Sequence, residues 1–303
     1  MDLAIMIEGQ NGLDWPRWQA IVRLVEELGF AGLYRSDHLT NAKPPDMDSL
    51  ELWTSLTWLA ANTKRIEFGP LVTPFSFRHP ALTARMAAAV DDLSGGRLTL
   101  GVGAGWQERE HKLFGFDLLD MDGRFARFQE GLECVTRLLQ SDKPVTFEGK
   151  YYRLQGAQVL PRPQRKGGPR ILVGGNGYRR TLQLAAQYAT EWNANFVGPA
   201  QFEQANKHLI GLIAKQGRKQ DAVRRSLMTG CVFAKDAKGL EAKLLARGRH
   251  KLELLERGNV VAAGKEIREQ LTEFARAGVQ RLMLQWLDLD DLDGLRDLAK
   301  AAL

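Results

Sequence analysis

Cysteine is nearly absent from the chain: Cys134 and Cys231 are the only two among 303 residues. Two thiols make no disulfide framework, so a core must hold the fold, and a reducing cytoplasm is the expected compartment. Long apolar runs are missing too; none reaches the roughly 18 residues of a membrane-crossing helix. The opening MDLAIMIEGQ has no basic segment ahead of an apolar one and no small-residue cleavage site, so no signal peptide is expected. Histidine is scarce, five in all, and His79, His111, His208 and His250 show no ligand spacing with His38. With no HExxH and no paired-cysteine motif, no metal site is expected. No GxSxG elbow occurs, and the cysteines fall inside a helical and a strand-like segment, which argues against a nucleophilic enzyme.

Neither sign of charge dominates. Lys plus Arg number 42 against 36 Asp plus Glu, a formal +6. The bases are spread through helices with acids between them, and the densest cluster, Pro161 to Arg170, lacks interleaved aromatics for base stacking. Nucleic acid and membrane are therefore not expected partners. A small phosphate-bearing cofactor remains compatible with the balance.

What the chain does have is alternation. Leu3 to Ile7 reads as a strand and Trp15 to Leu28 as a helix, with Asp14 placed to cap it, Pro16 in its first turn and Gly29 stopping it. Strands over Gly32 to Arg35, Arg65 to Thr73 and Arg97 to Gly101 follow, separated by helices over Ser49 to Ala61 and Pro80 to Leu93. After a long amphipathic helix from Met121, residues Val145 to Leu154 read as a hairpin. Alternation resumes with strands at Arg170 to Val173, Glu191 to Ala194, Ser226 to Phe233 and Gln280 to Trp286, each leading into helix. About eight βα units without a linker predict one domain over 1–303: a (β/α)8 TIM barrel with an insertion after the fourth strand, near 141–169. A doubly wound sheet is the alternative.

In a barrel, chemistry gathers at the C-terminal strand ends. Those ends carry Glu8-Gly9-Gln10, Ser36-Asp37-His38, Gly69 to Pro74, Gly103 to Trp106, Gly174 to Gly177, Trp192 to Asn195 and Gln285-Trp286. At Gly174-Gly175-Asn176-Gly177 a strand runs through glycines into a helix, where amide groups and the helix dipole favour an anion; a plain glycine turn would read the same. His38 can titrate near neutrality beside the Asp37 carboxylate, or serve as an ordinary structural histidine.

Several stretches together resemble the bacterial luciferase-like family of flavin- and deazaflavin-dependent oxidoreductases across nearly the whole chain. They are Ser36-Asp37-His38, Gly69 to Pro74 with Phe77-Arg78-His79-Pro80, and Asp91 to Trp106 continuing through Glu108 and Glu110-His111. Phe147 to Tyr152 and Pro169 to Gly175 complete the series, in the family's order.

The resemblance implies a TIM barrel binding a flavin or deazaflavin mononucleotide unit. Its phosphate would rest on Gly174, Gly175, Asn176 and Gly177, with Tyr178 following. It also implies a bulge and a non-prolyl cis peptide at Leu71–Val72, followed by Thr73, behind the ring, and it places Gly105 and Trp106 among the cofactor-binding residues. His38 would be the acid/base near the ring, with Asp37 positioning the cofactor head. The Ser-Asp-His and Gly-Ala-Gly-Trp forms are similar to members that use coenzyme F420; FMN is the alternative. Trp106 and Ala42 stand where the deazaflavin sugar-phosphate dehydrogenases have a glutamate and a tryptophan, which argues against a sugar phosphate substrate. The expected activity is hydride transfer between F420 and a small organic substrate. The alternatives are an FMN-dependent monooxygenase supplied with reduced flavin from outside, a flavin-binding protein without chemistry, and a phosphate-binding isomerase barrel. By the same resemblance a homodimer is expected through Trp53, Leu56, Leu59, Met86 and Val90. The bases Arg162, Arg165, Lys166, Arg170, Arg179 and Arg180 are expected to meet the acidic F420 tail.

Overall fold

Strand β1 (Asp2–Ile7) is apolar along nearly its whole length because it lies at the centre of a parallel sheet and is covered on both sides. It begins the computed structural model, which describes residues 1–303. Helix α1 (Trp15–Leu28) starts where the Asp14 carboxylate accepts the Arg17 N–H at 2.9 Å, and ends at Gly29, whose φ of 92° suits a residue without Cβ. Strand β2 (Gly32–Arg35), helix α2 (Leu52–Asn62), strand β3 (Glu67–Pro70), the short β4 (Thr73–Pro74) and helix α3 (Pro80–Leu93) continue the alternation. They are followed by strand β5 (Thr99–Gly103), helices α4 (Glu108–Phe114) and α5 (Met121–Gln140), and the hairpin β6 (Val145–Glu148) and β7 (Arg153–Ala157).

The second half repeats the unit: β8 (Arg170–Gly174), α6 (Thr181–Tyr188), β9 (Glu191–Asn195), α7 (Pro199–Lys215) and β10 (Arg224–Ala234). Helices α8 (Ala237–Ala246) and α9 (Lys251–Glu256), strand β11 (Val260–Ala263), α10 (Ile267–Arg276), β12 (Arg281–Gln285) and α11 (Leu292–Ala302) close the chain.

The parallel strands run in the order β3-β2-β1-β12-β10-β9-β8-β5-β4. A bridge between Phe68 and Leu98 and the β4–β5 pairing bring the two ends of that series together. The result is the expected barrel, nearly closed, with its third strand in two pieces. Arg65 to Thr73, expected as one strand, breaks at Leu71–Val72, where the peptide is cis as the resemblance implied. Strand β11, not anticipated, pairs with the C-terminal half of the eleven-residue β10.

The hairpin occupies the expected insertion. Its turn is pinned by the Glu130 carboxylate, which accepts N–H groups of Lys150, Tyr151 and Tyr152 at 2.8–3.2 Å. One apolar core lies between the strands and the helical layer, and a smaller cluster of Ala4, Met6, Tyr34, Leu71, Leu172, Met228 and Met283 fills the barrel itself. Trp53, Leu56, Leu59 and Val90, expected at a dimer face, are buried in the main core of this one chain, and Met86 is only partly exposed. Leu56, Leu59 and Val90 are taken up by this packing, while Trp53 and Met86 also border a surface groove. No helix is long and apolar enough to cross a membrane.

Candidate active site

A cavity of about 470 Å³ opens at the C-terminal ends of the strands. Its volume is within the range of small-molecule and cofactor sites. One wall is the Leu71–Val72 bulge, and glycines make room for it. A Cβ on Gly103 would lie 2.6 Å from Val72 Cγ2, and one on Gly174 would lie 3.0 Å from Val72 Cγ1. The strand ends of β5 and β8 therefore form a bed in which the Val72 side chain lies and still reaches the cavity.

Beside this bed the chain turns from β8 into α6. The N–H of Gly175 is taken by Asn193 O at 2.9 Å, but those of Asn176, Gly177, Tyr178, Arg179 and Arg180 donate to no protein acceptor. The Asn176 side chain closes the turn by donating to Asn195 O at 2.8 Å and accepting the Asn195 N–H at 3.0 Å. Unpaired amides at the start of a helix attract an anion. Gly174, Gly175 and Asn176 line the cavity; Gly177 and Tyr178 sit just outside it, with the Tyr178 ring against His208.

The stretch of wall after β2, next to the bulge, carries the ionisable groups. Asp37 is buried, and its oxygens accept from Thr73 Oγ1 at 2.6 Å and from the Arg78 guanidinium. Arg78 also reaches Glu51 at 3.0 Å. Burial raises the Asp37 pKa, and the Arg78 charge works against it. With both oxygens held, Asp37 ties the end of β2 to β4, and it also lines the cavity. Thr73, expected at the cofactor, is buried behind the wall as a partner of Asp37.

His38 lines the cavity, and its Nδ1 lies 2.9 Å from Glu110 Oε1. Burial alone would lower the imidazole pKa; the hydrogen bond and charge of Glu110, with Glu8 and Asp37 nearby, raise it above the usual histidine value. Trp106 is 61% exposed at the rim, its ring edge-on to His38 at 5.4 Å. Gly105 adopts a φ of 86°, and a Cβ there would crowd Ser76 Oγ at 3.1 Å. His111 is a structural group: it lies 2.7 Å from both Gln107 O and Ser76 Oγ.

Four groups of this wall were not assigned parts from sequence. Glu8 is held by Gln285 at 2.6 Å and Gln10 at 3.0 Å and has no cationic partner. Glu110 and Arg78 stand inside the stretches that carry the resemblance, but nothing local says what they touch. Arg124 lies on α5, whose cavity side also supplies Met121, Phe125 and Phe128; from periodicity alone this face is ordinary core. Phe196 completes the apolar wall with a φ of 49°, unusual for a residue with a side chain.

Arg162, Arg165 and Arg170 of the expected basic tract are drawn to partners elsewhere. Arg170 begins β8 and pairs at 2.5 Å with Glu67, the first residue of β3, so it lies at the other end of the barrel. Arg165 is paired with Asp91 at 2.6 Å, and Arg162 donates to Leu138 O and Leu139 O. Arg180 pairs with Asp122. Arg180 lies over the ring of the cavity-lining Phe125, while Arg124, whose Nε donates to Leu119 O, and Arg179 form no ion pair.

Comparison with known proteins gives a match to the luciferase-like monooxygenase family over residues 1–299. The chain is 30% identical over 201 residues to a 5,10-methylenetetrahydromethanopterin reductase of Archaeoglobus fulgidus, covering 66% of this chain and 55% of that one. It is 32% identical over 177 residues to a 4-hydroxyprotoasukamycin monooxygenase of Streptomyces nodosus subsp. asukaensis (58% and 46% covered). It is 34% identical over 153 residues to an F420-dependent glucose-6-phosphate dehydrogenase of Kineococcus radiotolerans (50% and 45% covered). The matches thus span about half the length of these curated relatives. Among solved structures, an F420-dependent secondary alcohol dehydrogenase in complex with an F420–acetone adduct shares the fold. Its TM-score is 0.85 at 19% identity, with 99% of this chain and 98% of that chain covered.

Proposed function

This chain belongs to the luciferase-like monooxygenase family, and within it we propose an oxidoreductase that moves a hydride between coenzyme F420 and a small organic substrate. The observation that carries this reading is a single cavity lined both by the glycine-bedded Leu71–Val72 bulge and by His38 held by Glu110. The bed and the five unpaired amides fit a flat ring that ends in a phosphate. Leu71 and Val72 would back the ring, Gly174 to Tyr178 would hold the phosphate, and Gly105 and Trp106 would border the ring. Asp37 acts as a positioning group, fixing β2 against β4 beneath it. When bound, the deazaflavin supplies the carbon that accepts or donates hydride.

The chain's own part is to orient and to manage a proton. His38 takes a proton from a substrate oxygen, or returns one, at Nε2, and closeness of the reacting groups supplies much of the acceleration. Met121, Phe125, Phe128 and Phe196 favour an uncharged substrate with an apolar body, and the unpaired Glu8 carboxylate disfavours an anionic one. The F420-dependent relative supports the cofactor. Arg124 and Arg179 are the groups suited to the acidic tail that FMN lacks. An FMN-dependent monooxygenase is the second reading, favoured by the similarity to the Streptomyces enzyme.

Side-by-side titration of the protein with F420 and FMN, at low and high salt, decides between them. Tighter F420 binding that weakens with salt is expected; tighter FMN binding with no salt effect favours the monooxygenase. We also propose a homodimer that covers the apolar groove of Trp15, Trp58, Leu82 and Met86. A monomer by light scattering would exclude it.

A further inference from the structure

We infer that Glu110 is a positioning residue that fixes His38 as the tautomer with its proton on Nδ1, so that Nε2 is presented to the cavity as the accepting atom. The inference rests on the reading of His38 as the acid/base, but its geometry is independent of any cofactor.

Glu110 is 1% exposed and uses both oxygens on one short segment. Oε1 meets His38 Nδ1 at 2.9 Å, and Oε2 accepts the backbone N–H of Leu39 at 2.9 Å. An ionised carboxylate only accepts, so the nitrogen facing it must carry the hydrogen. Burial raises the Glu110 pKa, yet the bond and charge of His38, with bonds from Gln107 and the Leu39 amide, bring it below the usual carboxylate value. The Gln107 amide nitrogen would favour a bare Nδ1, but it stands 3.5 Å from the ring and donates to Thr40 O at 3.0 Å, whereas the Glu110 carboxylate lies at 2.9 Å.

The two-point grip also fixes ring orientation. The ring cannot swing without breaking a bond at Oε1, and the segment cannot shift without breaking the one at Oε2. Ser49 Oγ adds a third hold by donating to His38 O at 2.7 Å, and Trp106 covers the ring edge-on. Nε2 has no protein partner. A proton arriving at Nε2 makes an imidazolium whose charge lies against Glu110, which stabilises the charged form.

The other charged groups around His38 are few. Glu8 faces it from the end of β1, Asp37 precedes it and is neutralised by Arg78, and Arg124 stands on the α5 wall. Arg109, next to Glu110, is occupied by Asp46 at 2.6 Å.

The test uses nitrogen NMR of the imidazole in the cofactor-free protein, with Glu110→Gln and Glu110→Ala. In the wild-type protein His38 should show a protonated Nδ1 and a bare Nε2 at pH above its titration. Glu110→Gln should lower the His38 pKa and mix the tautomers, because a neutral amide meets either the ring or the Leu39 N–H through its one oxygen. With F420 and a turned-over substrate, Glu110→Gln should reduce kcat about 10²-fold, the low end of acid–base assistance. KM should be unchanged, and the pH profile should move in step with the NMR pKa. Circular dichroism checks the fold of both variants, and the near-isosteric Gln serves where Ala does not fold.

An Nε2–H tautomer in the wild-type protein, or an unchanged pKa and tautomer in Glu110→Gln, overturns the inference. If the tautomer is as expected while His38→Ala keeps full activity, the inference stands and the proposed role of His38 fails.

Discussion

Arg281 and Glu67, the first residues of β12 and β3, meet at 2.6 Å at the end of the barrel opposite the cavity. Arg281 is almost fully buried, and it also donates to Tyr34 Oη at 2.6 Å and pairs with Asp2 at 3.1 Å. Arg170 and Arg224 reach the same Glu67 carboxylate. The floor of the barrel is thus polar and crosslinks strands β1, β3, β8, β10 and β12, while the mouth is left for ligands.

Removing one partner of a buried pair leaves the other charge uncompensated, which costs about 3–5 kcal/mol. Glu67→Ala, which leaves Arg281 only the half-exposed Asp2 as an ion-pair partner, should therefore lower unfolding stability by roughly 3 kcal/mol, at the low end because Glu67 is partly exposed and Asp2 remains. Urea unfolding at pH 7 measures it; a loss too small to detect would mean that the floor contributes nothing to stability.

The same carboxylate should impose a pH signature. Burial raises the Glu67 pKa, but the Arg281 charge and the bonds from Arg170 and Arg281 outweigh it and bring the value from 4.5 down to about 2. A depressed folded pKa contributes stability in full above the unfolded value and loses it as pH falls through the folded value. The stability gap between wild type and Glu67→Gln should be constant above about pH 5 and close between 4.5 and 2. Parallel unfolding curves across that window would test it.

At the mouth, His38→Ala should lower turnover by about 10²–10⁴-fold while leaving cofactor affinity within a factor of a few. The bed and the amide run do not depend on the imidazole. Fluorescence titration and steady-state rates on one preparation separate the two effects. Full activity in the variant would make His38 structural.

Gly103→Ala places a Cβ 2.6 Å from Val72 Cγ2 and must push that side chain out of its bed. Cofactor affinity should fall at least tenfold, about 1.4 kcal/mol. In a Val72→Ala background the same change should cost little, because the colliding methyl is gone. Equal losses in both backgrounds would remove the bed from the account.

The amino-acid sequence by itself determined what short-range physics governs. The spans of α1 and α3 follow from caps, prolines and apolar periodicity, and the glycine run after β8 is visible as a strand-to-helix turn. Tertiary structure decided whatever depends on where chain segments meet. Glu110 lies 72 residues from His38, and only the barrel brings their ends together. Arg165 and Arg170 sit in the same basic tract as a plausible tail site, yet their partners Asp91 and Glu67 draw them away from the mouth. Leu56 and Leu59 are apolar whether they face a partner or their own barrel; the packing of α2 chose the barrel. The break in the third strand has the same origin: Arg65 to Thr73 is apolar enough for one strand, and glycines on β5 and β8 make room for the bulge that divides it. A closed ring of parallel strands sets such neighbours by register, a relation between residues far apart in the chain that local composition does not encode.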